Sequence, residues 1–227
     1  MKITPAASLL LLVALLARGQ EGSNKGQVKQ SAIREPDLRE ELLAMEREDV
    51  DMRNGVIKDL GAKGIPFGGS RPISDPAMVR ALLEPTRKMH EMDQKHRTRL
   101  KEIVKKYGWP GKSLVGQDGA HAAWLLAQHA DRDLTFQKRA LKLMKAAPKG
   151  EVELPDIAYL TDCLLIAEKR KQCYGTQLMV KGGTFKPRPI EDEAHVDKRR
   201  AEMGMPALAD YLETAQAEYD RAAGKKK

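Results

Sequence analysis

Aromatic residues are scarce in this chain, at 4% of its 227 residues, so its core has to be assembled from Leu, Ala, Met, Val and Ile. That palette favours helices over sheets. There are only two cysteines, Cys163 and Cys173, which excludes a disulfide-stapled miniature fold and a cysteine-based metal cage. One helix running through both would hold their Cα atoms ~15 Å apart, beyond the ~7 Å limit for a bridge. A disulfide therefore requires that helix to end before Cys173 and the chain to fold back; otherwise both thiols are free, with Cys163 buried. Long apolar runs are also missing, except for one of a dozen residues between Ala6 and Ala17. It is too short to cross a bilayer, which takes roughly 20 residues. The sole single-sign charge run is Lys225-Lys226-Lys227.

The early run has a specific shape. Lys2 precedes it, LLLLVALL forms its centre, and Ala17-Arg18-Gly19 stands before the polar Gln20-Glu21-Gly22. A charged start, a short apolar stretch and small residues at the end are the marks of a secretory signal peptide over 1–19. An uncleaved N-terminal anchor is the alternative. No Cys follows for lipid attachment, so the expectation is a soluble extracytoplasmic protein, periplasmic or secreted, with no stable membrane insertion after cleavage. The formal charge of +8 falls to +6 without Lys2 and Arg18 and is interspersed with 32 acidic residues. Export and mixed signs together argue against nucleic acid as a partner.

The remainder divides simply. Residues 20–35 are polar and rich in Gly, Ser, Gln and Lys, which predicts a flexible linker; 36–222 form one helical domain, and 223–227 a basic tail. Pro36 opens a helix with Leu38, Leu42, Met45, Met52, Val56 and Leu60 at helical spacing, ending near Gly61. The Gly/Pro-rich stretch to Pro76 is an irregular connection. Asp75 and Pro76 start a second helix that Pro85 breaks or kinks, and a charged third helix follows from Thr86 to about Lys106. Met45, Asp49 and Arg53 are echoed at the same spacing by Met89, Asp93 and Arg97, as two surface ion pairs or as a shared ligand-facing pattern. An Ala-rich helix spans about Gly119–Asp131, others lie around Phe136–Met144 and from Pro155, and QCYGTQLMV and TFKPRPI form a hairpin around Lys181-Gly182-Gly183. EDEAHVDKRRAEM and PALADYLETAQAEY close the chain as two helices parted by Gly204 and Pro206. The fold class is mainly α: an irregular multi-helix bundle with one small β-hairpin.

Candidate chemistry concentrates in three motifs. Gln128, His129 and Asp131 end the Ala-rich helix, where close helix approach buries polar groups that need partners or a cleft. His129 is the candidate general acid or base, with Asp131 as its tentative carboxylate partner. A metal site from His129, Asp131 and Asp133 is set aside, because residues two apart in a helix point about 200° away from each other; no metal and no cofactor are expected. Trp109, between Gly108 and Pro110, forms a pocket wall or a cap on the bundle. Gln172, Tyr174, Thr176 and Gln177 present amide, phenol and hydroxyl groups suited to a polar ligand, or to satisfying buried edges. Arg200 is placed to clamp an anion or to pair with a local Asp.

Together YGWP, SLVGQDGAHAAWLLAQHAD, FQ, IAYLTD, QCYGTQ and PIEDEAHVDKRRAEMG resemble an uncharacterised bacterial domain family, from roughly Leu38 to Tyr211. The resemblance implies a mostly helical exported or cytosolic domain with no assigned activity. It places the polar motif positions on Trp109, Gln128, His129, Asp131, Gln137, Gln172, Tyr174, Thr176, Gln177 and Arg200. The chain departs from the pattern at Asp162-Cys163, where Asp-Arg is usual, and lacks the Gly that usually precedes QCYGTQ. Three functions follow as expectations. The first is a domain binding a small polar, glycan or peptide ligand, or an envelope component, in a cleft lined by the three motifs. The second is a hydrolase with His129 as base and Gln177 or Arg200 stabilising charge. The third is a structural or interaction module.

Overall fold

A computed structural model describes residues 33–62, 76–181 and 183–222. The predicted signal peptide, most of the predicted linker, the Gly/Pro-rich connection and the basic tail lie outside these described residues. Helix α1 spans Pro36–Ala62, α2 Pro76–Tyr107, α3 Lys112–Gln128, α4 Leu134–Ala146 and α5 Leu154–Ala167. A hairpin of β1 (Leu178–Lys181) and β2 (Thr184–Pro187) follows, then a 3-10 turn Glu193–His195, α6 (Val196–Glu202) and α7 (Leu208–Ala222). The chain is mainly α with one small hairpin, as its composition predicts.

Helix α3 is the axis of the bundle. Its alanines bring neighbouring backbones close, and residues from Ala122 through Gln128 are buried on every side. Helix α1 packs along it, α2, α4 and α5 complete its surroundings, and α7 packs on β2. Burying Leu125, Leu126 and Trp124 here stabilises the fold by roughly 1.5–3 kcal/mol per side chain. At Gly116 the backbone takes φ +76°, and a Cβ would stand 3.0 Å from the Ile33 side chain. Only glycine allows the start of α1 to pass there.

Three element boundaries differ from the sequence expectation. Pro85 does not end a helix: α2 runs through it, because packing on either side outweighs the single lost hydrogen bond. Helix α3 begins at Lys112, before Gly119, and stops at Gln128, so that His129 is its C-cap. The hairpin is shorter than the two extended runs, pairing only Leu178–Lys181 with Thr184–Pro187; Gln172 makes an isolated bridge to Ile190. The QCYGTQ segment is a loop whose amides bond to side chains instead of a neighbouring strand. Both cysteines are free and half-buried, and burial pushes the Cys163 thiol up to about 12.

Candidate functional site

Along α1, Asp49 and Arg53 continue the stripe set by Leu42 and Met45, and along α2 Asp93 lies beside Met89 and Met92. Helical spacing therefore aims these charges inward, at 1%, 2% and 6% exposure. The surface-ion-pair reading of the echo is overturned for Asp49, Arg53 and Asp93. Only Arg97, leaning on Asp133 with Nε at 3.7 Å, lies toward the surface.

The buried charges form one network. Arg53 donates from Nε (3.1 Å) and Nη2 (3.2 Å) to the two oxygens of Asp49. Its Nη2 also reaches Asp93 at 2.5 Å, and its Nη1 the Met89 sulfur at 3.2 Å. His129, 2% exposed, sets Nδ1 2.8 Å from Oδ2 of Asp49. So the carboxylate facing His129 is Asp49 from α1. Asp131, half-buried, interacts electrostatically with His129, Arg53 and His90, and its carboxylate makes no hydrogen bond or ion pair among the described residues.

Environment separates the titrating groups. Burial pushes Asp49 up, but the His129 and Arg53 partners outweigh it and hold the carboxyl well below the usual range. For Asp93, burial and the like charges of Asp49 and Asp131 outweigh Arg53, and its pKa rises to about 7. Burial raises Asp131 as well. Burial and the neighbouring guanidinium lower His129, so its imidazole is neutral near pH 7. Groups driven apart in this way are suited to acid and base roles.

Two further polar groups are left over beside this network. Neither amide atom of Gln128, 1% exposed, has a hydrogen-bond partner among the described residues, and neither has His129 Nε2; His129 Nδ1 is in ion-pair contact with Asp49 but not aligned for a hydrogen bond. Gln137, in contrast, is structural: its Nε2 donates to the carbonyls of Ala127 (3.0 Å) and Gln128 (2.9 Å), closing the end of α3.

The YGTQ loop is organised around Asp162 on α5. That carboxylate accepts from the amides of Cys173, Tyr174 and Thr176 and from the Thr176 hydroxyl, at 2.7–3.1 Å. Burial raises its pKa against the downward pull of these donors. Gln172 spends its amide on the same loop, accepting from Gln177 N (2.8 Å) and donating to the carbonyls of Gln177 (3.0 Å) and Arg188 (2.8 Å). Gln177 Nε2 donates to Thr176 Oγ1 at 3.2 Å. Arg200, fully buried, donates to the carbonyls of Pro206 and Tyr174, both at 2.7 Å, and lies over the Tyr211 ring at 5.0 Å. It pairs with backbone carbonyls, and no Asp bridges it among the described residues.

Trp109 stands away from the end of α3. Trp109 precedes α3 and Gln128 ends it; the helix kinks at Gly116, and its unbroken part from Gln117 to Gln128 alone spans roughly 17 Å. Trp109 packs against the core, its indole nitrogen buried and without a partner among the described residues. Gln128, His129 and Asp131 join residues of α1 and α2, Asp49 most directly. The signal that marks Asp49, Arg53 and Asp93 in the sequence is phase: they occupy the same face as the apolar positions around them. No group of three or more His, Cys, Asp or Glu is placed to hold a metal ion among the described residues, and no helix there is long and apolar enough to cross a membrane.

Neither the curated proteins nor the solved structures contain a match to this chain. The model of DUF6624, a family of unknown function, matches residues 36–223, which takes in the whole of the predicted helical domain, and the chain belongs to that family.

Proposed function

We propose that the protein is an exported domain that binds a small polar ligand at the junction of α1, α2 and the end of α3, against Gln128, His129 and Asp131. One observation carries this reading: both amide atoms of Gln128 and Nε2 of His129 are buried without a hydrogen bond among the described residues. Each such group costs about 1–3 kcal/mol unless something satisfies it. A polar ligand does so, and the charged neighbours give it orientation. Export rests on the signal-peptide pattern of residues 1–19, and an envelope component is the natural class of partner there.

The test is thermal unfolding of the purified chain, with Gln128→Ala and His129→Ala beside it, against a panel of monosaccharides, amino acids and dipeptides. A ligand-induced rise in the parent that both variants lose, while keeping their own stability, supports the site. If both variants drop by the ~1–3 kcal/mol of broken internal bonding and nothing shifts the parent, the reading fails and the residues are structural. Export is tested by expression of the full chain and N-terminal sequencing of the product, which should begin at Gln20.

A second reading, hydrolysis with His129 as general base, is favoured by the Asp49 contact. With Nδ1 held by a carboxylate, Nε2 is the nitrogen left to take a proton from an attacking water. Gln177 Nε2 and two nitrogens of Arg200 are bonded at the YGTQ loop and the turn before α7. Arg53 is the buried cation at this site.

A further inference from the structure

The junction of α1, α2 and α3 holds more buried carboxylate than the cation beside it can match. From α1 it receives Asp49 and Arg53, from α2 His90, Asp93 and Arg97, and from the turn after α3 His129, Asp131 and Arg132. Arg53 spends four of its five N–H groups on Asp49, Asp93 and the Met89 sulfur, and none is hydrogen-bonded to Asp131. Arg97 leans outward on Asp133, which also takes Lys101 at 2.6 Å, and Arg132 is exposed. Asp131 is thus a half-buried carboxylate that no described residue hydrogen-bonds, near a 98%-buried imidazole whose Nε2 has no partner among the described residues.

We propose that the ligand taken at this junction carries a cationic nitrogen, an ammonium or guanidinium group, received by Asp131 with Asp93 behind it. The proposal rests on the ligand reading above and adds the charge of the ligand. Its physical basis is compensation: a buried carboxylate is costly unless paired, and a cation placed here satisfies Asp131 and offsets the repulsion among Asp49, Asp93 and Asp131. Gln128 and His129 are neutral and supply hydrogen bonds to the rest of the molecule. Burial raises the pKa of Asp131, and burial with the like charges of Asp49 and Asp131 raises that of Asp93. A bound cation stabilises the ionised forms and lowers both, so binding near pH 7 releases protons.

Titration calorimetry of the full chain at pH 7 with propylammonium and methylguanidinium chloride, beside propionamide and sodium propionate at matched ionic strength, tests this. At least one of the cations should bind saturably, with a heat that varies with buffer ionisation enthalpy because protons leave. Asp131→Asn should weaken it roughly tenfold or more, the loss of one charge-assisted bond, without lowering the thermal midpoint. Propionamide or propionate binding as well as the cations, with Gln128→Ala abolishing it, overturns the cation proposal and leaves the ligand site standing. Unchanged cation affinity in Asp131→Asn also overturns it. No saturable binding by any of the four probes, with Gln128→Ala and His129→Ala merely destabilised, overturns both.

Discussion

Asp49 faces His129 from a different helix, with its Oδ2 2.8 Å from Nδ1 of the imidazole, and both oxygens of the same carboxylate accept from Arg53. A charge on α1 thereby fixes the C-cap of α3, and Arg53 extends the link to Asp93 on α2. The registry of three helices depends on one carboxylate and one guanidinium.

Removing the guanidinium should accordingly be costly. Arg53→Met leaves Asp49 and Asp93 buried without their cation, and breaking a buried pair in this way costs about 3–5 kcal/mol. Urea unfolding should show this loss in midpoint. The double change Arg53→Met with Asp93→Leu should recover part of it, since an apolar replacement leaves one unpaired charge fewer.

Stability should depend on pH through Asp93. Its folded pKa of about 7 lies above the ordinary carboxyl value, so between about pH 4 and 7 the folded state binds the extra proton and stability falls as pH rises. His129, lowered on folding, contributes with the opposite sign up to its ordinary value of about 6.5. Asp93→Asn isolates the first contribution. Measured by chemical denaturation, its stability relative to the parent should improve from pH 4 to 7 by up to ~1.4 kcal/mol for each unit separating the two pKa values. A flat difference across that window would show that Asp93 keeps an ordinary pKa.

Asp162→Ala should unpick the YGTQ loop. The change removes the acceptor for three backbone amides and one hydroxyl, each left-over buried donor costing about 1–3 kcal/mol before relaxation. Amide exchange should accelerate at Cys173, Tyr174 and Thr176 while α1 and α2 keep their protection. Unaltered exchange at those three amides would mean the carboxylate is not their partner.

At Gly175 the backbone has φ +72°, and a Cβ would stand 2.9 Å from a Leu208 methyl and 3.0 Å from one of Ile190. Gly175→Ala combines the left-handed strain with this crowding and should destabilise by roughly 1–3 kcal/mol. Gly150, also at positive φ but with open space around it, should cost less on the same change. Paired thermal melts of the two variants decide the comparison.

Helices and their order are legible in this sequence because spacing is local: Leu42, Met45, Val56 and Leu60 mark a face without knowledge of what covers it, and Pro36 and Pro76 set their starts. That the chain belongs to an uncharacterised domain family was legible as well. Pattern alone cannot say whether a charge on such a face meets water or another charge. Asp49 and Arg53 have the same spacing as an exposed pair, and only the approach of Asp93, 40 residues away, and of His129 buries them as a network. The same limit applies to the QCYGTQ segment, whose alternation suits a strand until Asp162, more than ten residues earlier, takes its amides. Local sequence determined which segments are helical and which face of each is apolar. The tertiary structure decided which charges are buried and what they hold, because the energy of a buried polar group is set by partners brought close in space from distant points of the chain.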